Sequence, residues 1–236
     1  MTLPKLVKVA IIPLVISAPL SAQEQTFDEQ VRDALLRNPE IILEVFEVLE
    51  QQQAAAASLA DQELIARFAP ALFQDADAPE RVLVEFIDYQ CSYCRRAAPE
   101  VIALTETSPD VVRHVVQFPI LGEASNNAAA VMEAIRLSQP HEVFLAAHDA
   151  LMMAEPQSLR LLATFVAGQG LDPDVIMPIA DSEEVQQIIA ANHALARGMG
   201  ITGTPGFVTT NAVIRGFADR QALAGMFDTA SSADTE

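Results

Sequence analysis

The chain has no tryptophan, two tyrosines and two cysteines in 236 residues, and its only lysines are Lys5 and Lys8. Cationic side chains number 14 against 32 acidic ones, a formal charge of −18. A surface so short of lysine and arginine does not track phosphates, so neither nucleic acid nor an anionic membrane surface is an expected partner. Long apolar runs are also missing. The longest near the start, Val9 to Leu20, is too short to span a bilayer comfortably and is interrupted by Pro13 and Pro19. No internal repeat is present, which excludes a solenoid. A hydrophobic content of 51% is ample for a core.

The start of the chain has the layout of an export signal. Lys5 and Lys8 precede the apolar run, which ends in Ser21-Ala22 before the polar Gln23-Glu24-Gln25. Cleavage is expected after Ala22, because Pro19 disfavours a cut after Ala18. The mature chain would then hold 214 residues, with twelve arginines, no lysine and a formal charge of −20. No cysteine follows the signal, which argues against a lipid anchor. Export places the protein in an oxidising compartment, the periplasm, where structural disulfides are common. Yet the only cysteines are Cys91 and Cys94, three residues apart. An exported protein with one Cys-x-x-Cys and nothing left for a staple uses the pair for chemistry. Half of a zinc site is the competing reading. It fails on ligand count, since no second pair exists and His114, His141, His148 and His193 lack ligand spacing. No metal or other cofactor is implied.

Periodicity orders the rest. Residues 26–36 predict a short helix with acidic residues near its start, and Asn38-Pro39-Glu40 caps a second. That helix carries Ile41, Ile42, Val45, Phe46, Val48 and Leu49 on one face, runs to about Ala60, and continues from Asp61 to Phe73. The stripe needs cover, either from its own domain or as an oligomerisation stalk. Arg81–Asp88 is a nearly continuous apolar strand of the kind buried on both faces. A helix opens at Cys91 and runs to about Glu106 through Pro99, and Val111–Phe118 is a second strand. Five helices follow between 125 and 198, with boundaries at Gln139-Pro140, Glu155-Pro156 and Gly168-Gln-Gly170. Short strands 207–210 and 213–215 and a helix from Ala218 to Phe227 complete the chain. Strand, helix and strand, then a helical block, then hairpin and helix, is an α/β thioredoxin fold with an inserted helical subdomain. The expected organisation is a signal at 1–22, an N-terminal helical arm at 23–78, a thioredoxin domain at 79–230 with its insertion at about 124–199, and a loose acidic tail at 231–236.

Within that fold Cys91 falls at a helix N-terminus, where unpaired amides and the helix dipole stabilise a thiolate. It is the expected nucleophile, and Cys94, one turn further in, the expected resolving thiol. Pro205, in Gly203-Thr-Pro-Gly-Phe207 before the returning strand, fits the cis-proline loop that faces the dithiol in thioredoxin folds.

Three stretches together resemble the DsbA-like family of exported bacterial thiol–disulfide oxidoreductases. They are Val84-Glu-Phe-Ile-Asp-Tyr-Gln-Cys-Ser-Tyr-Cys94, Phe118-Pro-Ile-Leu-Gly122 followed by Ser125 and Ala128-Ala129, and Gly203–Phe207. Pro99 matches the kinking proline common to thioredoxin folds, and the resemblance covers roughly 80–228. Phe27-Asp-Glu-Gln-Val-Arg, Leu36-Arg-Asn-Pro-Glu-Ile-Ile and the Gln/Ala-rich run are similar to the N-terminal segment of the ScsC-like branch, whose segment can assemble subunits into a trimer. The resemblance implies protein-disulfide exchange on exported cysteine-bearing substrates, a membrane redox partner (a DsbD-like reductase or a DsbB-like oxidase), and a homo-oligomer. Tyr93 stands where strong DsbA oxidants carry histidine, and Thr204 where they carry valine. Both positions are read as favouring isomerase or reductase character over a DsbA-type oxidase. The Thr204 hydroxyl can donate to a cysteine sulfur. Glu85 occupies the place of a buried acid that recurs in the family and can relay a proton near Cys94, or else it lies at a solvated strand edge. Asp88, Arg95 and Arg96 stay ambiguous between site and solvated face. A copper-handling protein that uses the same dithiol for Cu(I) is the reading from another class.

Overall fold

A computed structural model of the chain describes residues 26–74, 76–154 and 159–228. The expected signal, the Glu155-Pro156 turn and the acidic tail lie outside the described residues. Two compact units result, Met1–Gln52 and Gln53–Glu236.

Helix α1 (Phe27–Arg37) begins on a capping box. The Thr26 hydroxyl accepts from the Glu29 amide at 3.3 Å, and the Glu29 carboxylate accepts from the Thr26 amide at 3.0 Å. Asn38 closes it by donating its side-chain amide to the Ala34 carbonyl. Helix α2 (Glu40–Leu72) is continuous, without the expected break near Ala60. Its Gln51–Ala57 stretch is built of strong helix formers, and Pro70 falls in the last turn. In the first unit the apolar stripe is open: Phe27 is 77% exposed, Leu36 69% and Phe46 58%.

The sheet has the order β2-β1-β3-β4, built of β1 (Val82–Ile87), β2 (Val112–Gln117), β3 (Gly206–Val208) and β4 (Val213–Arg215). Strands β1 and β2 are parallel and the other pairs antiparallel. All six residues of β1 are buried, as its apolar run predicts. Alternation sends Val84 and Phe86 to one face, where they pack with Val116, Val208 and the end of α2 through Ile65, Leu72 and Phe73. Asp61 forms a two-pronged ion pair with Arg215 of β4, and the Phe68 ring lies where Gly198 leaves room for it. Leu83, Glu85 and Ile87 take the opposite face. There Leu83 meets Ala97, Val101 and Leu104 of α3 (Ser92–Thr107) and Leu223 of α9 (Arg220–Gly225).

The insertion between β2 and β3 is α4 (Glu123–Ser138), α5 (His141–Met153), α6 (Leu159–Gly168), α7 (Pro173–Ala180) and α8 (Glu183–Gly198). Its core, with Met132, Ile135, Phe144, Leu151 and Leu162, is continuous with Ile87, Tyr89, Cys94 and Val115. Most of the helical block therefore roofs the side of the sheet that carries Glu85, while Ala196 near the end of α8 packs on the other face with Val84 and Phe86.

Candidate active site

Cys91 is the N-cap of α3, with extended backbone angles, and its amide donates to the Asp88 carbonyl at 3.0 Å. Cys94 sits one turn in. Both are unpaired thiols and both are buried, at 8% and 3% exposure. Across from them the Thr204–Pro205 peptide is cis, and Cys91 Sγ lies 3.3 Å from the Thr204 carbonyl oxygen. The Pro205 carbonyl is held by the Gly216 amide at 2.9 Å.

That carbonyl contact favours the neutral thiol of Cys91, but the remaining groups favour the thiolate. A hydrogen bond from Cys94 acts most strongly. Burial opposes it, and the Thr204 side chain and the Cys94 and Tyr93 amides add to it, leaving the Cys91 pKa at about 5. Cys94 is pushed up, first because its proton is held by Cys91 and then by burial. One sulfur is thus an anion at neutral pH and the other keeps its proton.

Asp88, ambiguous from sequence, is a buried clamp. Its two carboxylate oxygens accept from the Gln90 amide at 2.8 Å and from the Ile120 and Leu121 amides at 2.8 and 3.0 Å. It therefore ties the turn before Cys91 to the Phe118–Gly122 loop. Around the nucleophile this leaves Tyr93, Ile120 and Leu121 exposed, an apolar rim. The two arginines face elsewhere: Arg95 donates to the Ala154 carbonyl, and Arg96 lies 4.5 Å over the Phe217 ring.

Glu85 is buried, at 2% exposure, and so is not at a solvated edge. Its carboxylate accepts from Arg113 Nε at 2.7 Å, and Arg113 Nη1 reaches both oxygens of Asp149 at 2.8 and 3.0 Å. A cavity of about 10 Å³ is lined by Glu85, Cys94, Ala98, His148, Met152 and Pro205, among others. That is space for about one water.

Sequence reasoning missed Arg113, Asp149, His148, Tyr89 and Gln117. Gln117 Nε2 donates to Tyr89 Oη at 3.2 Å, so the Tyr89 hydroxyl proton goes to His148 Nδ1 at 2.8 Å. The imidazole proton is then on Nε2, facing Asp149 Oδ1 at 3.9 Å. A partial signal existed: Arg113 and Gln117 share a strand face with Val115, and polar residues on a buried face need partners. Nothing local marked His148 and Asp149, which arrive from the insertion.

Burial, aided by the Arg113 charge, holds His148 neutral with its pKa well below the usual value. The native state therefore binds fewer protons than the unfolded chain below about pH 6.5, and stability falls as pH falls, by up to about 1.4 kcal/mol per unit for this group. Urea unfolding between pH 7 and 5 should show that slope, and His148→Gln should remove about one proton's worth of it.

Among the described residues no group of three or more His, Cys, Asp or Glu is arranged to hold a metal ion. What the pair offers is a thiolate, a protonated partner thiol and an adjacent peptide edge, the parts needed for thiol–disulfide exchange.

The comparisons with known proteins agree. Residues 82–228 match the DSBA-like thioredoxin domain family. The chain belongs to that family. Residues 23–56 match the copper resistance protein ScsC N-terminal domain. Among solved structures, a thioredoxin-like oxidoreductase from Silicibacter pomeroyi is 35% identical with a TM-score of 0.62, over 70% of this chain and 98% of that one. Proteus mirabilis ScsC in a transitional conformation is 27% identical with a TM-score of 0.63, over 84% and 91%. A periplasmic thioredoxin-like protein from Salmonella enterica serovar Typhimurium is 27% identical with a TM-score of 0.60, over 68% and 93%. No curated protein matches the chain. Like its DsbA-like relatives, the protein is a thiol–disulfide oxidoreductase built on a thioredoxin fold.

Proposed function

We propose that the protein exchanges disulfides in exported, cysteine-bearing proteins of the periplasm, with isomerase character. The observation that carries this reading is the opposed pair: Cys91 with a pKa of about 5 beside a Cys94 that holds its proton. The Cys91 thiolate attacks a substrate disulfide, forming a mixed disulfide and expelling a substrate thiolate. In isomerisation that thiolate attacks elsewhere in the substrate and Cys91 leaves again as the thiolate. In the other branch Cys94 gives up its proton, with Glu85 as acceptor, and its sulfur displaces the substrate from Cys91. The dithiol is then oxidised and the substrate disulfide reduced, and the reverse sequence donates a disulfide.

Lowering one thiol from about 9 to about 5 stabilises the reduced form at pH 7 by roughly 2.7 kcal/mol, or about 60 mV for a two-electron couple. That argues against a pure reductase. The two tuning positions act in opposite directions. Tyr93 supplies no imidazolium to the thiolate, whereas the Thr204 side chain stabilises it. Thr204→Val should raise the Cys91 pKa by less than about one unit and make the couple more reducing by less than about 30 mV, measured against glutathione.

Refolding of scrambled ribonuclease tests the isomerase reading. Reactivation that depends on Cys91 supports it. Absent reactivation alongside fast dithiol oxidation would replace it with a DsbA-type oxidase served by a DsbB-like membrane partner, where an isomerase would need a DsbD-like reductant. The exposed apolar stripe of the first unit supports assembly into a homo-oligomer, a trimer by analogy with the ScsC branch, which would place several dithiols around one substrate. A copper role rests on the match of residues 23–56 and on two soft thiol ligands. Cu(I) affinity no better than that of a generic dithiol would remove it.

A further inference from the structure

Arg113 is a single guanidinium divided between two acids of unlike setting. Its Nε serves Glu85, buried on β1 and bordering the cavity that Cys94 also lines. Its Nη1 serves Asp149, which is 28% exposed and belongs to the inserted subdomain. Around Glu85 stand Arg113 from β2, which bonds it, Cys94 from α3 and His148 from α5, which border the same cavity, and Tyr89 beyond β1, while Asp149 of α5 reaches it only through Arg113. Burial keeps Tyr89 and His148 uncharged. The Coulomb field at Glu85 is therefore set by Arg113 and by whatever offsets Arg113, and Asp149 supplies that offset.

We propose that Asp149 is a positioning residue for the redox site: by holding the second arm of Arg113 it keeps the Glu85 carboxylate basic enough to take the Cys94 proton. This rests on the reading of Glu85 as that acceptor. With Asp149 neutralised, Arg113 would bear on Glu85 alone. The guanidinium would then hold the carboxylate more tightly and leave it a poorer acceptor for a thiol that burial already keeps protonated. The inserted helices would then do more than roof the site. They set its proton balance.

The test uses the full-length mature protein, reduced and mixed with saturating oxidised glutathione. Cys91 captures one glutathione and releases the other as thiolate. Cys94 then loses its proton and displaces the second glutathione, closing the protein disulfide. The rate of this second, unimolecular step is followed by acid quench across pH. Asp149→Asn keeps an oxygen for Arg113 and lies where water reaches, so folding should be retained. The expected result is a downward shift of the acid-limb inflection by about one pH unit, with a slower plateau. Asp149→Glu should restore the original profile, and Asp149→Asn should change nothing further in a Glu85→Gln background. If Glu85→Gln removes the inflection but Asp149→Asn leaves it in place, the role of Asp149 is overturned and Glu85 stands as the acceptor. If Glu85→Gln keeps the wild-type inflection, the acceptor reading falls, and the role of Asp149 falls with it.

Discussion

Cys91→Ser is expected to reduce disulfide exchange to the uncatalysed background, a loss on the order of 10⁴–10⁶-fold, the range found when a covalent nucleophile is removed. A thiol with a pKa of about 5 is almost wholly ionised at pH 7, whereas an ordinary cysteine is ionised to roughly 3%. Serine can form no thiolate, and the Thr204 carbonyl oxygen opposite the sulfur is a peptide group too weakly basic to take a hydroxyl proton. Cys94→Ala should act differently. It removes the strongest stabiliser of the Cys91 anion, so the thiolate absorbance near 240 nm should titrate at a higher pH than about 5. Attack should survive while resolution is lost.

The second large effect is expected in assembly. Paired Leu36→Asp and Phe46→Asp substitutions should convert an oligomer to monomers in sedimentation while the Cys91 titration stays at about 5. Both side chains are mostly exposed in the first unit, and Leu36 helps line an apolar groove of about 610 Å³ with Phe27, Val31, Leu35, Pro39 and Ile42. Covering such a side chain in a subunit contact stabilises by about 1.5–3 kcal/mol. Losing two per chain should weaken association by at least about 100-fold. Mature wild-type protein that sediments as a monomer would remove the oligomer proposal. Truncation should end near residue 52, because from Asp61 onward α2 is tied to the thioredoxin unit through Arg215, Ile65 and Leu72.

Features carried by local pattern were legible in the sequence, and those made by distant pairing were not. The apolar run of β1, the α3 opening at Cys91 and the proline turn at 205 each announce themselves within a few residues. So the dithiol, its facing loop and the split fold could be placed. Glu85 was placed but its partners were not: Arg113 is 28 residues away and Asp149 is 64, on an element whose own sequence reads as an ordinary amphipathic helix. Asp88 is ambiguous in the sequence because an aspartate before a turn commonly caps it, and only the packed loop shows it holding Ile120 and Leu121 as well. The continuity of α2 was missed for a simpler reason. An alanine- and glutamine-rich stretch without large apolar residues loses the periodic signal even though its helix propensity is high.

Incubating Cys94→Ala protein with scrambled ribonuclease and mapping the adduct by mass spectrometry tests most directly whether Cys91 carries the attack. The expected result is a covalent complex joined through Cys91 whose rate of formation follows the thiolate titration of this same variant, falling off at a pH above about 5 but below that of an ordinary thiol. A rate that instead falls steadily from pH 8, as for an ordinary thiol, or no complex at all, would contradict it.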